Sequence, residues 1–249
     1  MKQLSQKLKN IPPSMTLAVN DKAKAMQRAG HDVIALAGGD PDFDTPPHIV
    51  EAACRAIKSG ATHYPAPMKG IPEALTAVAE KMARDNNIHV DPMRNIILTP
   101  GGKWGLFLAL SAILNPGDEV LILEPHWVSY PPMVTLAGGI PVTVSLPRDD
   151  NFRITADLLR AHITPKTKAL MLNTPCNPTG RVLTQAEHDA IVEVAIAADL
   201  YVIADEIYEK LVFDGRFHRS VAAAPGMAER TLTVNGLTKS YAMTGWRMG

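Results

Sequence analysis

Cysteine is nearly absent from this chain: Cys54 and Cys176 are the only two in 249 residues. They lie too far apart for a metal or redox spacing, which argues against a disulfide framework and fits a reducing compartment. An excess of either charge is missing too. Lys and Arg total 25 against 25 Asp and Glu, so nothing argues for nucleic acid or an anionic membrane as a partner. No stretch reaches the roughly 18 apolar residues of a membrane span. The opening MKQLSQKLKNIPPS lacks the apolar run of a signal peptide. Repeats and low-complexity segments are absent as well. The expectation is a soluble, cytoplasmic protein, long enough to bury a sizeable core as one large domain or two small ones.

What is present is alternation. Hydrophobic period and stop signals predict helices over residues 16–29, 48–59 and 72–87. They also predict a short strand over 33–37, followed by the Gly- and Pro-rich loop from Gly38 to Pro47. From residue 94 onward, β-rich runs at 95–99, 119–123, 142–146, 169–173, 201–204 and 231–234 are interleaved with helical stretches at 103–114, 128–136, 156–162 and 185–198. That order predicts an α/β fold with a mostly parallel sheet. Ligands of such sheets bind beyond the carboxyl ends of the strands, so chemistry is sought just after each one.

The most informative stretch is TLTVNGLTKSYAMTGWRMG, residues 231–249. A strand ends at Asn235-Gly236, which places Lys239 on the lip of the sheet. Lys239 supplies an amine for carbonyl chemistry and Arg247 a guanidinium for an anion, the pair that a phosphorylated aldehyde would need. Thr99-Pro100-Gly101-Gly102-Lys103 opens a helix whose free N-H groups at Gly102 and Lys103 suit a phosphate, though such turns are common. Trp127 either packs in the core or stacks on a planar ring. Asn177, in the proline-rich loop 173–180, offers an amide donor. Asp205 and Tyr208 stand three residues apart at a strand end, where the carboxylate either caps the turn or partners a ring nitrogen.

These stretches, in this order, resemble the class I and II aminotransferases, the pyridoxal-phosphate enzymes of fold type I, over nearly the whole chain from Ser14 to Gly249. The resemblance implies a three-layer α/β/α large domain with pyridoxal 5'-phosphate as cofactor. Lys239 would carry the cofactor, Asp205 would face its ring nitrogen, and Tyr208 and Asn177 its ring oxygen. Arg247 with Gly102 and Lys103 would form the phosphate cup, and Trp127 would stack on the ring. Tyr64 matches a tyrosine that reaches the neighbouring subunit's phosphate, which implies a homodimer. Gly39 matches a glycine near the substrate carboxylate. Ser14, Thr16 and Lys103 resemble positions of the bacterial aspartate aminotransferase branch that hold an acidic side chain.

The implied function is amino-group transfer from an L-amino acid to a 2-oxo acid. The alternatives are a C-S β-lyase on the same scaffold and an inactive remnant acting as a binding protein. By the same resemblance, residues 1–45 form an arm, helix and substrate loop. Residues 46–249 form the cofactor domain. The family pattern continues beyond Gly249 into a small domain and an arginine for the substrate α-carboxylate. A chain ending there is expected to bind substrate weakly and to be poorly stable alone.

Overall fold

In the computed structural model, Ser5, Leu8 and residues 11–249 are described, with the side chains of residues 15–17 left out. Five helices come first: α1 (Met15–Arg28), α2 (Pro47–Lys58), α3 (Pro72–Asn86), α4 (Pro92–Asn95) and α5 (Gly102–Ile113). Strand and helix then alternate through β1 (Glu119–Glu124), α6 (Tyr130–Leu136), β2 (Ile140–Ser145), α7 (Ala156–Arg160), β3 (Thr167–Asn173), α8 (Gln185–Ala197) and β4 (Tyr201–Asp205). Strand β5 (Thr231–Val234) runs into the single turn α9 (Leu237–Ser240), which contains Lys239. Among the described residues no helix is long and apolar enough to cross a membrane.

The five strands form one parallel sheet in the order β2-β1-β3-β4-β5. Strands buried on both faces read as nearly continuous apolar runs, and β1, β3 and β4 do. Side chains alternate between faces. Leu121, Leu123, Leu170, Leu172, Val202 and Ala204 pack against Leu159 of α7 and Ile191, Val194 and Ala195 of α8. Their neighbours Val120, Ile122, Ala169, Met171 and Ile203 meet Leu106, Ala109 and Leu110 of α5 and Tyr130, Met133 and Val134 of α6 on the other side. The α/β/α layering therefore follows from sequence parity. Helix α8 starts where Thr184 accepts from the Glu187 backbone and Glu187 returns the bond, a reciprocal cap.

Two expected strands are not strands. Residues 33–37 are irregular, and Ile34 and Leu36 are 83% and 89% exposed, so the run has the composition of a strand without a ladder partner. Asn95 ends α4, Ile96 is extended, and residues 96–99 lie outside the sheet. Thr99 exchanges both backbone hydrogen bonds with Gly249, at 2.7 and 2.9 Å, while Leu98 donates to Lys69 at 2.8 Å. One reciprocal pair is too little to make a ladder.

Candidate active site

Chain order runs from β1 outward to β2 and then returns to β3 on the other side of β1. The carboxyl ends of β1 and β3 therefore flank a topological switch point. The loops leaving β1, β3, β4 and β5 meet there. Asn173 and Asp205 are register partners at the ends of β3 and β4, as are Asp205 and Val234 across β4 and β5. The Asn173 amide donates to the Asp205 carbonyl at 2.9 Å, and its Oδ1 accepts from the Asn177 backbone at 2.6 Å. These two bonds pin the 174–180 loop against the end of β4. Asn177 in turn donates to the Tyr208 hydroxyl at 3.5 Å.

Asp205 is 5% exposed. Its Oδ2 accepts from the Tyr130 hydroxyl at 2.7 Å and its Oδ1 from the Ile207 N-H at 3.3 Å. Burial raises the carboxyl pKa to about 6, with Glu206 adding to the rise and the two donors opposing it. Burial, then the Asp205 charge, raises the Tyr208 phenol, and the Asn177 bond works against them.

Three cations converge across from this pair. The Lys239 amine lies 6.0 Å from the Tyr208 ring centroid and donates to the Gly39 carbonyl. Burial lowers its pKa, Arg247 lowers it further, and Asp40 opposes them. Lys103 sits 4.7 Å from the Trp127 ring centroid and is lowered by burial and by Arg247. Arg247, at φ 54°, donates to the Thr244 carbonyl at 2.9 Å. A Cβ on Gly101 would overlap its guanidinium. Two lysines depressed by burial and further by the Arg247 charge mark a place prepared for an anion. The loop from Gly39 to Thr45 closes over the Lys239 segment. Thr244 donates to Asp40 at 2.6 Å, Thr45 to the Ala242 carbonyl at 2.6 Å, and Trp246 to Thr45 at 3.0 Å.

The structure thus brings together Lys239, Asp205, Tyr208, Asn177, Trp127, Lys103, Arg247 and Gly39, with Gly102 opening α5 beside Val234. Trp127 meets Tyr130 edge-on at 5.5 Å as well as Lys103. Tyr64 is not among them: it is 89% exposed on an irregular loop. Ser14 precedes α1 and accepts the Ala18 N-H at 3.0 Å, while the Thr16 side chain lies outside the described ones. Tyr130, Asn173 and Asp40 were missed. Tyr130 reads as one more core residue of its helix, and no spacing links it to residue 205.

A family model for aminotransferase class I and II matches residues 31–249. The chain belongs to that family. Over all 249 residues it is 49% identical to the probable aspartate/prephenate aminotransferase of Thermus aquaticus and covers 64% of that protein. It is 47% identical to the aspartate aminotransferase of Musicola paradisiaca, covering 62% of it. Among solved structures, the Thermus thermophilus aspartate aminotransferase with maleate superposes at a TM-score of 0.95 and 47% identity, with 100% of this chain and 64% of that one covered. This aminotransferase family member therefore spans a little under two thirds of the length of these relatives. The relatives are named as aminotransferases, which does not favour the lyase or binding-protein alternatives.

A second polar cluster follows Asp205 in this family member. Glu206 is fully buried, accepting from Ser220 at 2.6 Å and Asn86 at 3.1 Å, with His218 Nε2 3.0 Å away. Asn86 also donates to Glu209 at 2.6 Å, and Lys81 pairs with Glu209. The carboxylates are already satisfied by these partners. The cluster is a clamp that ties α3 to the end of β4.

Proposed function

We propose that this chain is the cofactor-binding part of a pyridoxal-phosphate aminotransferase that moves an amino group from an L-amino acid to a 2-oxo acid. The observation that carries the reading is Lys239, an amine of lowered pKa between Tyr208 and Arg247, at the same sheet edge as the buried carboxylate of Asp205.

The donor set fits the cofactor. Lys103, Lys239 and Arg247 leave positive charge to be balanced, as a phosphate would balance it. Asn235 Nδ2 and Ser240 Oγ, on either side of Lys239 in sequence, are buried donors with no partner among the described residues. Arg247, Gly102 and Lys103 would hold the phosphate, Trp127 would cover the ring, Asn177 and Tyr208 would bind its oxygen, and Asp205 would accept the N-H of its nitrogen. When bound, the cofactor supplies an aldehyde that accepts amino groups and a ring that accepts electrons.

The chain's residues do the rest. Lys239 Nζ, more often neutral than an exposed lysine, is the base for the proton on the substrate α-carbon. Tyr208 and Asn177 hold their polar atoms in a fixed pair, so little reorganisation accompanies charge movement. Gly39, whose carbonyl already reaches Lys239, lines the side where substrate carboxylate enters. On the same reading, residues 1–45 belong to an arm and substrate loop and residues 46–249 to the cofactor domain. Tyr64 is kept for a neighbouring subunit in a homodimer, and its outward position suits that role.

An acidic substrate is the finer proposal, with Lys103, Ser14 and Thr16 at its side chain. Maleate, a dicarboxylate, accompanies the Thermus thermophilus relative. The test is incubation with pyridoxal phosphate and borohydride, followed by peptide mapping, alongside an assay of amino transfer from aspartate to 2-oxoglutarate. Label on Lys239 is the expected result, with transfer in the longer protein of which this chain is the cofactor-binding part. Label elsewhere with Lys239 clean would refute it.

A further inference from the structure

The sheet end holds one buried group whose role the proposed function does not yet use. Tyr130 is 2% exposed, begins α6 just after β1, and directs its hydroxyl into the loop end of β4. Its ring is held on two sides, by Trp127 edge-on at 5.5 Å and His126 at 6.4 Å. Its hydroxyl donates to Asp205 Oδ2 at 2.7 Å. A phenol at this depth is held protonated: burial, then the Asp205 charge, raises its pKa well above the ordinary value. It is thus a permanent donor, aimed at one carboxylate oxygen, from a ring that cannot swing away.

We propose that Tyr130 is a positioning residue, which orients the Asp205 carboxylate and favours its charged form so that it can take a cationic ring nitrogen. The inference rests on the pyridoxal-phosphate reading for the identity of that nitrogen but not for the Tyr130–Asp205 bond itself. With one oxygen bonded to Tyr130 and the other to the Ile207 N-H, both oxygens are fixed in place and each keeps acceptor capacity for a further proton. A donor bonded to the charged form favours it, countering the desolvation that presses Asp205 toward neutrality. The other titratable groups facing the pair are Glu206 next to Asp205, Tyr208 beyond β4, and Cys176 of the 174–180 loop, which acts on Tyr130. Glu206 and burial both raise Asp205, so Tyr130 is the side chain that holds it down.

Tyr130→Phe keeps the ring and removes the donor. Two measurements apply. First, the Asp205 carboxyl is titrated by carbon NMR in protein labelled at aspartate Cγ without cofactor, with Asp205→Asn to assign the signal. The midpoint is expected to rise by about one pH unit in Tyr130→Phe. Second, the pyridoxal phosphate dissociation constant is followed from pH 5 to 8. Affinity in the parent is expected to fall as Asp205 is protonated, and in Tyr130→Phe this fall begins at higher pH, with binding about twofold weaker at pH 7 and close to tenfold weaker at pH 5. A purely structural role would weaken binding equally at every pH and leave both midpoints in place. An unmoved Asp205 titration overturns the proposal. A shifted titration in a protein with no affinity for pyridoxal phosphate upholds the Tyr130–Asp205 coupling and overturns the cofactor reading instead.

Discussion

Gly101 and Arg247 occupy each other's space: a Cβ on Gly101 would lie 2.9 Å from the Arg247 Cζ. Gly101 precedes α5 at φ 85°, in the left-handed region, so both its backbone and its missing side chain leave room for the guanidinium. The two residues are 146 positions apart in sequence, yet each sets where the other can stand.

Gly101→Ala is therefore expected to cost about 1 kcal/mol in stability from the backbone alone and to displace Arg247. Binding of pyridoxal phosphate should weaken about tenfold or more, a charge-assisted hydrogen bond being lost. Pyridoxal without its phosphate should lose far less. Equal losses for the two ligands would show that Arg247 is not the group affected.

Asp205 gives a stability prediction whose sign is fixed by its pKa. Folded, it keeps its proton up to about pH 6, whereas its ordinary value is 3.8. Between those values the folded state binds the extra proton, so the Asp205 contribution to stability falls as pH rises through the window and stays low above it. In the absence of cofactor, Asp205→Asn should be more stable than the parent at pH 7, by up to about 3 kcal/mol, and the advantage should vanish near pH 4. Urea unfolding at both pH values measures this. A variant less stable at pH 7 would contradict the assigned burial cost.

Asn86 bridges Glu206 and Glu209, donating to both carboxylates from one amide nitrogen. Asn86→Ala leaves two buried carboxylates short of a donor and facing each other, which should cost roughly 2–3 kcal/mol in urea unfolding. A cost under about 0.5 kcal/mol, as for an ordinary surface site, would mean that Lys81, His218 and Ser220 suffice without it.

Lys103 lies against Trp127 at the mouth of the site. If it holds an acidic side chain, Lys103→Gln should raise KM for aspartate about tenfold while kcat changes less, since that contact is made equally before and during reaction. An uncharged amino acid should be little affected. Steady-state kinetics with aspartate and alanine decide it, and parallel losses for both would place Lys103 on the cofactor rather than the substrate.

The sequence alone determined the layer order and the sheet edge at which the candidate site lies. Turn residues follow apolar strand runs at 173–180, 205–208 and 235–239, and a parallel sheet must gather such loops at one edge. That is why Lys239, Asp205, Tyr208 and Asn177 stand out as candidates in the sequence: each lies within a few residues of a strand end whose apolar pattern is unmistakable. Tertiary structure decided what local pattern does not encode. Residues 33–37 and 95–99 have strand composition, but a strand exists only where a partner offers its backbone, and no partner is visible from within a segment. Tyr130 has the apolar helix face of a core residue. Its hydroxyl becomes an Asp205 donor only because β1 and β4 lie in one sheet with β3 between them. The same holds for Arg247 against Gly101 and Asn86 against Glu206. Hydrogen bonds and close contacts act over a few ångströms in space, and the chain fixes such distances only after it has folded.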